Sequence, residues 1–249
     1  MSIIALSPIG TISSCYKEKF GIPRQPNLVP STITQLILNK EFGEESIRGL
    51  EDFSHIWLSF IFHDTQKYGW KPMVRPPRLG GNTKVGVFAS RSTFRPNPLG
   101  LSVVKLLKID VSKGFVILHL GGSDLLDKTP ILDIKPYLPY VDSIPNASGG
   151  FAEHRPSIIY TVSFTETAKL DCKKAIKRLE LPHSPLQNIK KQGGCALKSQ
   201  IKQILELDPR PSYQKGEKSD RIYAMKLYDF DLKWQYCENN KIRVIALDN

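Results

Sequence analysis

Gly80-Gly-Asn-Thr-Lys-Val-Gly-Val-Phe-Ala-Ser-Arg-Ser-Thr-Phe-Arg-Pro-Asn-Pro-Leu-Gly-Leu101 is the stretch around which the rest of the chain is read. It passes from a glycine turn through a short β-type run, Val85 to Ala89, into a loop holding Arg91, Arg95 and a Pro-Asn-Pro turn, and then into strand-like sequence from Leu101. Prolines fix φ and withhold N–H donors, while Arg grips flat or anionic ligands through a rigid fork. A segment made only for packing has little use for both. A single Arg there would read as an exposed basic loop, but the neighbourhood is one-sided: from Thr65 to Ile109 there is no Asp or Glu, while Lys and Arg recur from Lys67 to Lys108. Solvated faces mix both signs, so this window predicts a positive surface for an anionic partner. Tyr68, Trp70, Phe88 and Phe94, interleaved with the cations, offer planes on which bases stack.

The whole chain agrees. At 249 residues, 41% hydrophobic and 24% charged, it is an ordinary globular sequence, but its net charge of +11 is not ordinary, and nucleic acid is the commonest partner of such a balance. Cys15, Cys172, Cys195 and Cys237 are scattered, with no Cys-x-x-Cys pair and no His at metal-ligand spacing, which predicts reduced structural thiols in a cytoplasmic protein. The start, Met1-Ser-Ile-Ile-Ala-Leu-Ser-Pro8, lacks a signal peptide's basic and apolar regions, and no run is long enough to span a membrane.

Outward from the central stretch, strands dominate. Ile3 to Ile12 reads as an opening strand broken by Pro8 and Gly10, and Leu36 and Leu38 alternate as in a second. Between them Pro23 and Pro26 bracket Arg24 and Gln25 in an extended loop. Glu44 to Leu50 reads as a short helical or turn segment ending near Gly49. Phe53 to Phe62 is too apolar on both faces for an edge and predicts a buried central strand, with His55 as a core histidine and His63 where the strand opens into a loop. Leu101 to Val111 and Phe115 to Leu120 form a hairpin around Ser112-Lys-Gly114. The segment from Gly121 to Tyr137 carries Asp124, Asp127 and Asp133, too widely spaced for a calcium loop and better read as turn formers, or as a ribose-binding carboxylate among them. A Pro/Gly/Ser-rich linker places a boundary near Gly150. Beyond it come a strand, Ile158 to Phe164; two helices, Thr167 to Leu179 and Ala196 to Leu207; a Pro-flanked Arg in Asp208-Pro-Arg-Pro211; and a β-meander from Arg221 to Leu247. No strand-helix alternation and no Gly-x-Gly-x-x-Gly motif occurs. The expected fold is therefore mainly β with α: an antiparallel or mixed β-barrel over residues 1–150 and a smaller α+β domain over residues 151–249.

Tyr16-Lys-Glu-Lys-Phe20, Pro23-Arg-Gln-Pro26, Arg48-Gly-Leu-Glu51, Phe53-Ser-His-Ile-Trp57, Arg75-Pro-Pro-Arg-Leu-Gly-Gly81, Gly86 to Pro98, Asp133-Ile-Lys-Pro-Tyr-Leu-Pro139 and Asp208-Pro-Arg-Pro211 together resemble the TsaA-like, or tRNA methyltransferase O, family over nearly the whole chain. The resemblance implies a non-Rossmann, β-barrel methyltransferase that is cytoplasmic and homodimeric. It would use S-adenosyl-L-methionine to methylate N6 of threonylcarbamoyladenosine beside the anticodon of threonine tRNA, gripping the anticodon arm. Carried over by motif, the cofactor-binding residues are Pro23, Arg24, Gln25, His63, Asp64, Arg91, Leu101, Leu125, Leu126, Asp127 and Lys128. Leu101 and Leu125 suit an adenine wall, Asp127 or Asp64 the ribose or amino group, and Arg91 or Arg24 the carboxylate. Because the sulfonium is already activated, the protein need only align the groups and accept a proton, for which Asp208 and Tyr213 are the catalytic candidates; Arg210 or Arg95 suits the substrate's own carboxylate. The chain departs from the family's usual Ser-Pro-Tyr and Asp-Gly-Thr-Pro at Ser14-Cys15-Tyr16 and Asp127-Lys128-Thr129-Pro130. Two other classes share parts of the pattern: a tRNA-binding module without turnover, and a metal-dependent hydrolase built on His63, Asp64 and the later Asp residues.

Overall fold

The computed structural model describes residues 4–112, 114–179, 196–210 and 221–248. Six strands, β1 (Gly10–Ser13), β2 (Ile33–Leu38), β3 (His55–Ile61), β6 (Leu99–Ser112), β7 (Phe115–Gly121) and β8 (Pro130–Pro136), close into a barrel in the order β1-β2-β7-β6-β3-β8. Closure removes every edge. Strict alternation fills the interior: on β3, Ile56, Leu58 and Phe60 point inward and the intervening residues are half-buried. The apolarity of both faces of β3, read as the mark of a central strand, has a local cause. β6 and β8 flank it, and outside the barrel Tyr137 packs on Trp57 while the Trp57 indole donates to Asp142 Oδ2 at 3.0 Å. Asp142 lies in α1 (Pro139–Asp142), which follows β8. Gly100 lets the wall close tightly, because a Cβ there would lie 2.3 Å from the Phe60 ring.

Within the connection from β3 to β6, β4 (Met73–Val74) and β5 (Val85–Gly86) form a separate two-stranded ribbon, and Val87–Ala89 turns as a 3₁₀ segment. The second domain is a four-stranded sheet in the order β10-β11-β12-β9, from β9 (Thr161–Phe164), β10 (Ile222–Leu227), β11 (Phe230–Cys237) and β12 (Lys241–Asp248), with β9 parallel to β12. Helices α2 (Glu166–Leu179) and α3 (Ala196–Glu206) pack on it, the second through Leu197, Ile201, Ile204 and Leu205 on one face.

Three expectations change. The opening strand begins only at Gly10, although Ile9 still donates to Ile131 O at 2.7 Å. Asp133 is not in a turn: it lies within β8, paired with Ser59 of β3, and its carboxylate meets Lys135 on the outer surface. His55 is half-buried and not a core group, bonded to the Ser54 hydroxyl at 2.9 Å and set edge-on to Tyr137.

Residues on both sides of the linker share one core. Cys15, Tyr16, Val29 and Ile33, all from the first 33 residues, belong to the hydrophobic core of the second domain. A buried polar network closes the join: Tyr16 Oη and Thr32 Oγ1 lie 2.6 Å apart, Gln200 Nε2 donates to Thr32 Oγ1 at 3.3 Å and to Cys15 Sγ at 3.1 Å, and Tyr228 Oη donates to Gln200 Oε1 at 2.8 Å. Every member has a partner, the condition under which buried polar groups rigidify a structure. Burial pushes the Cys15 thiol up to about 12, so it is an inert packing group.

Candidate active site

The barrel register brings three connections to one rim. The end of β1, the start of β2, the end of β7, the start of β6, the end of β3 and the start of β8 are neighbours in turn. Residues 14–32, 62–98 and 122–129 therefore emerge together. Backbone bonds tie the first and third of these: Asn27 N to Gly122 O at 2.8 Å, Gly122 N to Thr32 O at 2.9 Å, Asp127 N to Tyr16 O at 2.9 Å, and Lys128 N to Ile12 O at 2.8 Å. Gly122 is required at this junction, since its φ is +69° and a Cβ would lie 2.4 Å from Asn27 Oδ1.

Side chains complete the convergence. Arg91 donates to Gln25 Oε1 at 2.6 Å, joining the Arg-Pro loop to the Pro-flanked one. Lys19 pairs with Asp64 at 2.7 Å and holds that carboxyl below its usual range. Asp127 accepts from Ser14 N at 2.8 Å and pairs with Lys17 at 2.8 Å. Pro23 is buried, His63 and Leu126 are half-buried, and Arg24, Arg91, Leu101 and Lys128 are exposed. Four loop positions that the sequence separates by about a hundred residues, Gln25, His63, Arg91 and Asp127, thus stand at one end of one barrel.

Asp124, one of the three Asp residues that the sequence offers as turn formers or as a ribose-binding carboxylate, belongs to this cluster. Its Oδ1 accepts the Ser102 hydroxyl at 2.8 Å, and burial raises its pKa to about 6, against the opposing effects of that bond, its own backbone N–H and the Arg91 charge. A carboxylate with incomplete compensation at the mouth of a rim is the kind of group that marks functional sites. Nothing in the local sequence separates it from Asp127, because what distinguishes it is Ser102, on a different strand.

Other expected residues are placed differently. Leu125 lies in the barrel core, whereas Leu101 stands on the outer face of β6, so the two side chains do not form one wall. Lys128 adopts φ +64°, the left-handed conformation glycine would take there, and its N–H is already bonded to Ile12 O. Arg95 donates to Val87 O and Ser90 O at 3.2 and 2.8 Å, clamping its own loop. Asp208 and Arg210 are buried together: the guanidinium bonds both carboxylate oxygens and Tyr160 Oη, Tyr236 Oη donates to Asp208, and the Tyr236 ring lies 3.5 Å under the guanidinium carbon. Burial alone would lower the Arg210 pKa, but the Asp208 bond and neighbouring groups hold it above its ordinary value. Both groups, candidates for the proton acceptor and the carboxylate receptor, are thus engaged with each other in a buried network. Tyr213 lies outside the described residues. Among the described residues no three His, Cys, Asp or Glu side chains are grouped closely enough to hold a metal ion, and no helix is long and apolar enough to cross a membrane.

Comparison with known proteins follows this division. Residues 11–143 match the tRNA-methyltransferase O N-terminal domain and residues 160–249 the TrmO C-terminal domain. The chain is 46% identical over 249 residues to the tRNA (adenine(37)-N6)-methyltransferase of Escherichia coli K12, covering 100% of this chain and 99% of that protein. It is 43% identical to a Pseudomonas aeruginosa protein, RcsF, classed provisionally as an S-adenosylmethionine-dependent methyltransferase, over 97% and 96% of the two chains. The crystal structure of TrmO from P. aeruginosa superposes with a TM-score of 0.79 at 37% identity, covering 100% of this chain and 99% of that one.

Proposed function

The chain belongs to the tRNA-methyltransferase O family and is an S-adenosylmethionine-dependent tRNA adenine-N6 methyltransferase acting at adenosine 37; from that premise we propose that its substrate is the threonylcarbamoylated adenosine of threonine tRNA. We propose further that residues 1–150 carry the donor site, that residues 151–249 form the smaller domain that braces it, and that the enzyme works in the cytoplasm as a homodimer. The observation that supports the donor site best is the meeting of Gln25, His63, Arg91 and Asp127 at one barrel rim, through two loops tied by backbone bonds and a third joined to them by the Arg91–Gln25 and Lys19–Asp64 side-chain contacts.

The chemistry of the donor set fits S-adenosylmethionine. When bound, it supplies a methyl group already activated by positive sulfur. Asp124, incompletely compensated, suits a cation such as a sulfonium or an α-ammonium. Arg24 and Arg91 suit its carboxylate, and Asp64, Asp127, Lys128, Leu126, Pro23 and His63 frame the remaining rim. With the electrophile preactivated, what these residues contribute is alignment and the exclusion of water. For the carboxylate on the threonylcarbamoyl group, Arg24 and Arg78 supply a reason. Burial lowers the Arg24 pKa, Asp208 opposes, and the Arg78 charge lowers it further. Two guanidiniums within electrostatic reach of each other are relieved by an anion.

The test is methyl transfer from labelled S-adenosylmethionine to two threonine tRNAs, one threonylcarbamoylated and one an unmodified transcript. Label confined to the first, in a nucleoside heavier by one methyl group, is expected. Equal labelling of the bare transcript would refute the finer substrate, and no labelling of either would refute the function.

A further inference from the structure

The β4–β5 ribbon is an exposed, aromatic and wholly cationic projection beside the rim. Its backbone is well fastened: Met73 pairs with Gly86 and Val74 with Val85, Val87 N donates to Pro72 O at 2.9 Å, and Lys71 N donates to Phe94 O at 3.1 Å. Yet it leaves large apolar groups in solvent. Phe88 is 75% exposed, Tyr68 60% and Trp70 55%, and none belongs to either hydrophobic core. Folding alone does not explain aromatic rings held outward on the segments flanking a two-stranded ribbon, where water contact forgoes the stabilisation each would gain from burial.

Cations stand over Tyr68, Phe88 and Phe94. Lys19 and Lys67 stand 5.5 and 5.1 Å from the centre of Tyr68, Lys71 stands 4.5 Å from that of Phe94, and the Arg95 guanidinium carbon is 5.6 Å from Phe88. Arg95 is itself bonded to the carbonyls of Val87 and Ser90 on either side of Phe88, which fixes the loop that presents the ring. No Asp or Glu interrupts the sequence from Thr65 to Ile109, and the carboxylate just ahead of it, Asp64, is paired with Lys19, so the projection offers π-faces and a net positive charge to phosphate. That combination matches one chemical class, a single strand of nucleic acid with unstacked bases, because every base has a face to stack and every linkage carries a negative charge. Duplex RNA keeps its bases inside and offers the charge without the faces.

We propose that the β4–β5 ribbon is a stacking platform for unpaired loop nucleotides next to the target adenosine, with Trp70 and Phe88 as the rings that receive bases and the surrounding lysines holding the adjacent phosphates. This rests on the tRNA reading above and adds to it the surface that opens the anticodon loop and the residues that do so.

The test compares binding of the full-length protein to two labelled RNAs by fluorescence anisotropy at fixed salt: an anticodon stem-loop hairpin with seven unpaired nucleotides, and a blunt duplex of similar length. Trp70→Ala and Phe88→Ala are each expected to weaken hairpin binding by roughly 5- to 150-fold, the range for loss of one base stack, and to leave duplex binding within about twofold. Trp70→Phe keeps a ring and is expected to restore most of the loss. Because both side chains are exposed, the thermal midpoints should match the parent's, and circular dichroism checks this. Hairpin binding unchanged in both alanine variants overturns the proposal, as does an equal loss on hairpin and duplex. So does a shift from dimer to monomer in sedimentation velocity, which would make the ribbon a contact between copies of this chain. If the parent protein transfers no methyl group to tRNA, the functional reading fails by itself, and the difference between hairpin and duplex still decides the platform.

Discussion

Replacing Asp124 by Asn should make the protein more stable and less active. The carboxyl pKa of Asp124 rises from 3.8 to about 6 because burial disfavours its charged form. Below pH 3.8 the group is protonated in both folded and unfolded chains and contributes nothing. Between 3.8 and 6 the unfolded chain releases a proton that the folded one retains, and above 6 the folded protein carries the charge at a cost that no longer changes. Two pH units correspond to about 3 kcal/mol of stability missing at pH 8. Asn has the same shape, cannot ionise, and keeps an oxygen for the Ser102 hydroxyl. In urea denaturation at pH 8, Asp124→Asn should therefore exceed the parent by up to about 3 kcal/mol, and the gap should shrink to about 1 kcal/mol at pH 4.5. Methyl transfer measured on the same samples should fall, since the neutral side chain no longer offers a charge to a cationic donor. A variant less stable than the parent at pH 8, or a gap that does not change with pH, would refute the reasoning.

Lys128→Gly should raise stability by about 1 kcal/mol, the relief of a left-handed φ less the added freedom of the unfolded chain, read as a higher thermal midpoint. Gln200→Leu removes the side chain that bonds Thr32, Cys15 and Tyr228 and leaves those groups buried without a partner at that position; a loss of about 2–4 kcal/mol in urea is expected. Asp208→Asn leaves Arg210 buried beside a neutral group and should cost about 3–5 kcal/mol. If Asp208 instead takes the substrate proton, that variant will keep its denaturation midpoint and lose turnover alone.

Where a pattern repeats along the chain, the fold could be read from it. The hairpin of β6 and β7, the helix ending at Leu179, the apolar face of α3 and the final meander all follow from periods of two or 3.6 residues and from turn signals at their ends. β8 was hidden because Pro130, Asp133 and Pro136 are turn formers, and only its place between β1 and β3 makes them a strand. The meeting of the rim loops came from motif resemblance, and barrel closure supplies its physical cause. The local sequence of Asp208-Pro-Arg210 serves a helix exit and turn as well as a substrate contact. The burial of Asp208 and Arg210 depends on Tyr160 and Tyr236, residues that no spacing rule connects to them. Asp124 could not be told apart from Asp127 and Asp133 for the same reason, its environment being set by Ser102 and Arg91 at a distance in sequence.

The join between the domains has an evolutionary corollary. Cys15, Tyr16, Val29 and Ile33 are encoded ahead of almost the whole barrel yet pack into the far half of the protein. A lineage that lost or exchanged the carboxy-terminal half would leave these four side chains without their cover, so a relative lacking that half is expected to carry smaller or more polar residues at the corresponding early positions.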